Sequence, residues 1–143
     1  YASSINAWSM DNAGYGFNDN PVVKTIYDPC PAGFHVPASN AFTGFSTTGH
    51  STNNPSEFNV VGSFDFGWTV KSKTGNNSIY VPAVGYRHPW YGYMMGYSTD
   101  IDVVTANLSD GTNCCLFGAT AGLMWVEHAY YASSCYQVRP VAE

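Results

Sequence analysis

The residues with the most chemical potential crowd near the C-terminus, in the stretch NCCLFGATAGLMWVEHAYYASSC from Asn113 to Cys135. It holds three of the chain's four cysteines, and Glu127 is its only charged residue. Adjacent thiols could serve redox or copper chemistry, thiols with His128 a metal, and the Trp and Tyr side chains a contact surface. The spacing tests each. Cys114 and Cys115 are neighbours, so in an extended chain they point to opposite faces. A bond between them would strain the intervening peptide. Cys30, Cys114, Cys115 and Cys135 allow three pairings if all are oxidised; packed free thiols and at least one disulfide both stay open. No C-x-x-C pair suggests zinc, and no Lys or Arg in the stretch favours a thiolate.

The remaining groups form no recognisable catalytic set. His35, His50, His88 and His128 are dispersed. Asp28, Asp65, Asp100, Asp102 and Glu127 show no paired-carboxylate motif of a glycosidase, although Asp100 and Asp102 would share one strand face and could hold a cation. A G-x-S-x-G elbow is absent from the sequence. The expectation is a protein without catalytic residues, metal ligands or cofactor.

Composition narrows the partners. Charged residues make up 10% of the 143 residues, against about 25% in an average soluble protein. Aromatics make up 16%, with 11 Tyr, and Gly numbers 14. That balance suits a β- and loop-rich extracellular domain better than a helical enzyme. The net charge is −5, with only Lys24, Lys71, Lys73, Arg87 and Arg139 positive. Nucleic acid therefore has no basic stripe to bind. No apolar run reaches the roughly 18–20 residues of a membrane span. The length suits one domain over residues 1–143, and the start on Tyr1 reads as a fragment or a processed form.

The positioning elements are short. Residues 1–20 read as an irregular lead-in with one short strand. DPCPAG turns around Cys30. VPASNAFTGF predicts a short helix capped by Ser39 or Asn40, with Phe42 and Phe45 on one face. WTVKSK and SIYVPAVGYR predict a hairpin across TGNN, with Pro82 marking an edge or bulge. VVTANLS and CLFGA predict a second hairpin at Asp110-Gly111. YQVRPVAE closes the chain as a last strand. The expected fold class is α+β: short strands, long loops, one or two short helices.

Four phrases, KTIYDPCPAGFHVPASNAFTGF, SIYVPAVGYR, GYMMGYSTD and YQVRPVAE, resemble successive signatures of the Fibrobacter succinogenes major paralogous domain. The resemblance runs from about Lys24 to the C-terminus. It implies a C-type-lectin-like fold of the variety shared with formylglycine-generating enzyme. It also implies a place in surface or fimbrial-tip proteins of Bacteroides-type bacteria, outside the cell. Some relatives are targets of diversity-generating retroelements. Members ending V-R-C-V pair that Cys with the D-P-C-P Cys; here the position is Pro140, so Cys30 lacks the implied partner.

In the C-terminal stretch Phe117 is the natural core residue, which turns Cys114 and Leu116 outward. GLMWVEHAYYASS has no clean period, so an exposed irregular loop is expected. The ligand-facing residues are then Leu116, Gly118, Thr120, Leu123, Trp125, Glu127, His128, Tyr130, Tyr131 and Ser134. Trp90 and Tyr91 form a second wall. Randomised adenines in an Asn codon could produce most of these types, but not Trp125, Met124 or Glu127. The expected function is a non-enzymatic adhesin domain at a pilus or fimbrial tip, with a protein or glycan ligand. Fimbrial subunits would be further partners. The alternatives are a structural or assembly module and a lectin domain without catalysis.

Overall fold

Short apolar runs separated by Gly, Pro, Asn and Ser can bury themselves only as strands, and strands dominate the chain. The computed structural model describes residues 8–10, 14–74 and 76–143. Its strands are β1 (Phe34–His35), β2 (Val60–Val61), β3 (Gly67–Lys71), β4 (Ser78–Pro82) and β5 (Tyr86–Arg87). They continue with β6 (Met94–Met95), β7 (Ile101–Leu108), β8 (Asn113–Ala119), β9 (Met124–Tyr131) and β10 (Val141–Ala142). They form four antiparallel sheets: β7-β8-β9, β2-β3-β4, β5-β6 and β1-β10. Parts of the expected lead-in, residues 1–7 and 11–13, lie outside the described residues, as does Gly75 of the TGNN turn.

The main core lies between the two three-stranded sheets. Ile101, Val103, Phe117, Ala119, Met124 and Val126 face Trp68, Val70, Val81, Phe42 and Phe58. Both expected hairpins are present, but the return strand read across SIYVPAVGYR stops at Pro82, and Tyr86–Arg87 pairs with β6 instead. Trp68 pairs with Val81 across β3/β4, and Val103 with Phe117 across β7/β8. Pro82 ends the edge strand β4, where its missing N–H costs no ladder bond. The Asp110 carboxylate closes the β7–β8 turn by accepting from Thr112 N (2.7 Å) and Asn113 N (2.8 Å). The Asn113 side-chain amide, which donates to it at 2.9 Å, and then those backbone bonds hold it below the usual carboxylate range.

Three expectations are corrected. The α+β, C-type-lectin-like class gives way to a mostly β protein: 38% strand, with no α-helix among the described residues. The predicted helix shrinks to a 3-10 turn at Thr43–Phe45, and a second 3-10 turn spans Pro55–Glu57. Phe42 and Phe45 nevertheless share a face, with both rings against Phe117 at 5.2 and 5.0 Å. A 3-10 turn repeats every three residues, so it meets the same i,i+3 spacing as a helix. Gly44 and the extended Ser46 end it there.

Second, residues 124–131 are a strand, not an irregular loop. The register shifts between the pairs Gly118↔Trp125 and Leu116↔His128, so Val126 and Glu127 together oppose Phe117. Such a bulge breaks the two-residue alternation. Third, Cys114 and Leu116 do not face solvent. β8 is central, and its second face packs Val104, Cys114 and Leu116 under Trp8, Leu108, Tyr130, Tyr136 and Val138. A strand buried on both sides reads as a continuous apolar run, which is what CCLFGA is.

One carboxylate ties together the segment 24–36. Asp28 accepts from Cys30 N (2.7 Å), Val36 N (2.9 Å) and Lys24 Nζ (2.9 Å). Although burial acts against ionisation, these bonds hold its pKa down. β1 then pairs with β10, Phe34 opposite Ala142. The expected last strand is therefore only two residues long, and Gln137 instead bridges in parallel to Val103. All four cysteines are free.

Leu116→Ala separates the buried from the exposed placement. Truncating this fully buried side chain is expected to cost about 3 kcal/mol in urea unfolding, where an exposed leucine would change stability by about 0.5 kcal/mol or less.

Candidate ligand-binding surface

The bulge opposite Phe117 decides which rings face out. Met124 and Val126 enter the core; beyond the shift, His128 and Tyr130 lie on the Leu116 and Cys114 side. Gly118 makes room for Trp125 and His128. A Cβ on it would lie 3.2 Å from both Trp125 Cε3 and His128 Cδ2. The rings of Trp125 and His128 stack at 5.0 Å, and His128 runs nearly parallel to Tyr130 at 6.3 Å.

The row continues off the strand. Tyr130 meets Tyr86 of β5 at 5.4 Å, and Tyr86 meets Tyr136 at 5.9 Å. Tyr130 also touches Tyr131 (4.9 Å), whose ring meets Trp90 edge-on at 4.6 Å. His88 contacts Trp90 and Tyr91, and Tyr91 stacks on Tyr93 at 5.6 Å. The two walls expected from sequence are thus one continuous surface. Its strand half is half-buried, while Trp90 is 66% and Tyr91 69% exposed.

The 88–93 loop is held in shape by main-chain bonds. His88 N donates to Tyr93 O and Gly92 N to His88 O, both at 3.0 Å, and Arg87 Nε donates to Gly92 O at 2.7 Å. Gly92 supplies the φ of +70° that this turn needs. A bridge between Arg87 and Cys135 fastens the loop's base to the segment after β9.

Other expected residues sit elsewhere. Leu116 is fully buried and Gly118 is covered, so both support the rings from beneath. Thr120 and Leu123 form the β8–β9 turn at the far end of β9, where Thr120 O accepts from Trp68 Nε1 (2.8 Å). Glu127 is exposed at the bulge, 3.7 Å from His50 Nδ1. Ser134 is half-buried beside the surface; its N–H donates to Tyr131 O (3.1 Å).

Sequence reasoning missed Tyr86 and Tyr136; it weighed His88 only as a metal ligand and Asp102 only as half of a cation site. Tyr86 and Tyr136 were visible within the GYR and YQVRP phrases. The Arg87–Cys135 and Val103–Gln137 bridges bring them together, and pairing at such separations leaves no local signal.

Burial sets the electrostatics. His128 is pushed below its usual pKa by burial, so its ring is neutral at pH 7. Burial pushes the Cys114 and Cys115 thiols up to about 12 and Cys30 to about 11, which leaves them protonated and poor nucleophiles. Asp102, paired with Gly118, is 8% exposed and its Oδ2 has no hydrogen-bond partner. Burial first, then the nearby Asp100, raises it to about 6. Among the described residues, no three His, Cys, Asp or Glu side chains come together as a metal-ligand set.

No family model matches the chain, and it has no match among curated proteins or solved structures.

The raised Asp102 pKa has a signed consequence. The unfolded chain ionises this group near 3.8 and the folded chain near 6. Its contribution to stability is therefore full at low pH and falls as pH rises through that window. Asp102→Asn is expected to remove this loss, gaining up to about 3 kcal/mol over wild type at pH 8 relative to pH 3. Urea unfolding of both proteins across that range measures the difference.

Proposed function

We propose that this chain is a non-enzymatic binding domain, and that its ligand docks on the aromatic surface of β9 and the 88–93 loop. The observation that carries the reading is the unbroken ring contact from Trp125 to Tyr93. It pairs a firmly seated half with a strongly exposed one. Large exposed apolar clusters mark interaction sites. Tyr and Trp supply contact area at little entropic cost. Pairing of β9 with β8 along its length holds the surface rigid, as a binding site on a scaffold requires.

The resemblance to the major paralogous domain supports a place on the bacterial surface, at the tip of a pilus or fimbria, with a protein or glycan as ligand. On this reading, retroelement variation would change binding at His128, Tyr130, Tyr131 and Ser134. Changes at Leu116 or Gly118 would act through packing instead. The buried, protonated thiols speak against a formylglycine-type reaction, which needs a reactive cysteine pair.

A second reading, an assembly module, is favoured by a different patch. Ile26 (91% exposed), Tyr27 (72%) and Phe34 (42%) flank the Asp28 turn and could be covered by an adjoining domain.

Alanine replacement of Trp90, Tyr91 and Tyr131 separates the two. Loss of adhesion by cells that still display the full-length protein, with thermal stability unchanged, is the expected result. Intact adhesion, or loss only when Ile26 and Tyr27 are replaced, sinks the binding-surface reading.

A further inference from the structure

The outer edge of β9 is closed at one end and open at the other. Thr52 exchanges both main-chain bonds with Met124 (2.8 and 2.9 Å), and Glu127 N donates to Ser51 Oγ (3.3 Å). Beyond Glu127 nothing comparable covers the strand among the described residues. Ala132 N donates to Thr112 O (2.9 Å). In the register Asn113↔Tyr131 to Leu116↔His128, this makes Cys114–Tyr130 and Leu116–His128 the hydrogen-bonded pairs, since such pairs alternate. The N–H and C=O of Ala129 and the N–H of Tyr131 therefore point away from β8. None of the three meets a partner among the described residues. Tyr131 O is already taken by the Tyr136 hydroxyl (2.7 Å) and Ser134 N. Ala129 is exposed and small, so nothing of its own side chain blocks the edge.

We propose that this edge takes an extended, basic segment of a partner polypeptide as an added strand. The inference rests on the binding-surface reading and names the partner's chemistry. Unpaired N–H and C=O groups spaced along a strand are matched by another main chain, and sugar hydroxyls do not reproduce that alternation. Side chains of the added strand would fall beside His128 and Tyr130 on one face, and beside Tyr131 and Trp90 on the other. The charge on this edge itself is Glu127, at the closed end; Asp100 and the buried Asp102 lie across the sheet, on the β7 side. Arg87 keeps its positive charge, and its guanidinium lies against Gly92 within the 88–93 loop. The exposed rings of Trp90 and Tyr91 add faces that attract ammonium and guanidinium groups. A net charge of −5 acts in the same direction over longer range.

The test is an NMR titration of the isotope-labelled chain with a short peptide of alternating Lys and Thr. Its Glu counterpart and a Lys peptide N-methylated at alternate residues serve as controls. Saturable shifts at the Ala129 and Tyr131 amides are expected, with slowed hydrogen exchange at both. Affinity for the Lys peptide should fall with salt, and both controls should bind about tenfold or more weakly. Equal binding of the N-methylated peptide overturns strand addition, and equal binding of the Glu peptide overturns the basic partner. No saturable shift up to millimolar peptide overturns both. A rise in mass with concentration, accompanied by protection of Ala129, would assign the edge to a second copy of this chain instead. If the Trp90, Tyr91 and Tyr131 variants lose adhesion while peptide leaves Ala129 untouched, the aromatic surface stands and the added strand falls.

Discussion

Everything on the β9 side of the molecule depends on how Phe117 is seated. Its ring is fully buried against Phe42 and Phe45, and β9 must pass it with one residue more than β8 supplies. That extra residue changes the parity of the strand. Before it, Met124 and Val126 fill the main core; after it, His128 and Tyr130 cover the second cluster. With regular alternation from Met124, His128 and Tyr130 would turn toward the main core and Glu127 toward the second face. A polar ring and a hydroxyl would then lose solvent without partners. The bulge is thus the device that allows one strand to serve a core and a surface in succession.

The sequence made the simple strands legible and hid the compound one. β3/β4 and β7/β8 carry clean alternation, or a buried apolar run, around recognisable turns; both hairpins form, although SIYVPAVGYR breaks after Pro82 and β7 shifts register against β8 between Val104 and Leu108. β9 has the same local chemistry, but its parity changes at Val126-Glu127, so no single period fits Met124–Tyr131. CCLFGA misled for a different reason. A strand with one core face must show outward residues, and only knowledge that a second layer covers β8 reassigns Leu116 and Cys114. The helix expected at residues 36–45 failed because Phe42 and Phe45 satisfy a 3-10 turn as well as a helix, and Gly44 with Ser46 decides between them.

Among the site residues, Trp90, Tyr91, Trp125, His128, Tyr130 and Tyr131 were legible from type alone: large aromatic groups among Gly, Pro and Ser. That they meet was not legible, because the Trp90–Tyr131 contact spans 41 positions, the difference of the two residue numbers. Thr120 and Leu123 were included through proximity in sequence, and the turn carries them to the other end of the strand. Asp102 was visible only as a member of an acidic pair. Its burial follows from sitting opposite Gly118 on a strand covered on both faces.

The contrast between β8 and β9 sets how this protein can change over generations. Every side chain from Cys114 to Ala119 is buried against some neighbour, so most replacements there cost folding before they alter binding. On β9, one step away, the residues after the bulge are only partly covered, and Trp125 and His128 lie against Gly118, which has no side chain to dictate their shape. The fully buried side chains and the partly exposed rings are thereby lodged on adjacent strands rather than on the same one. A lineage can rewrite the rings of one while inheriting the other unaltered.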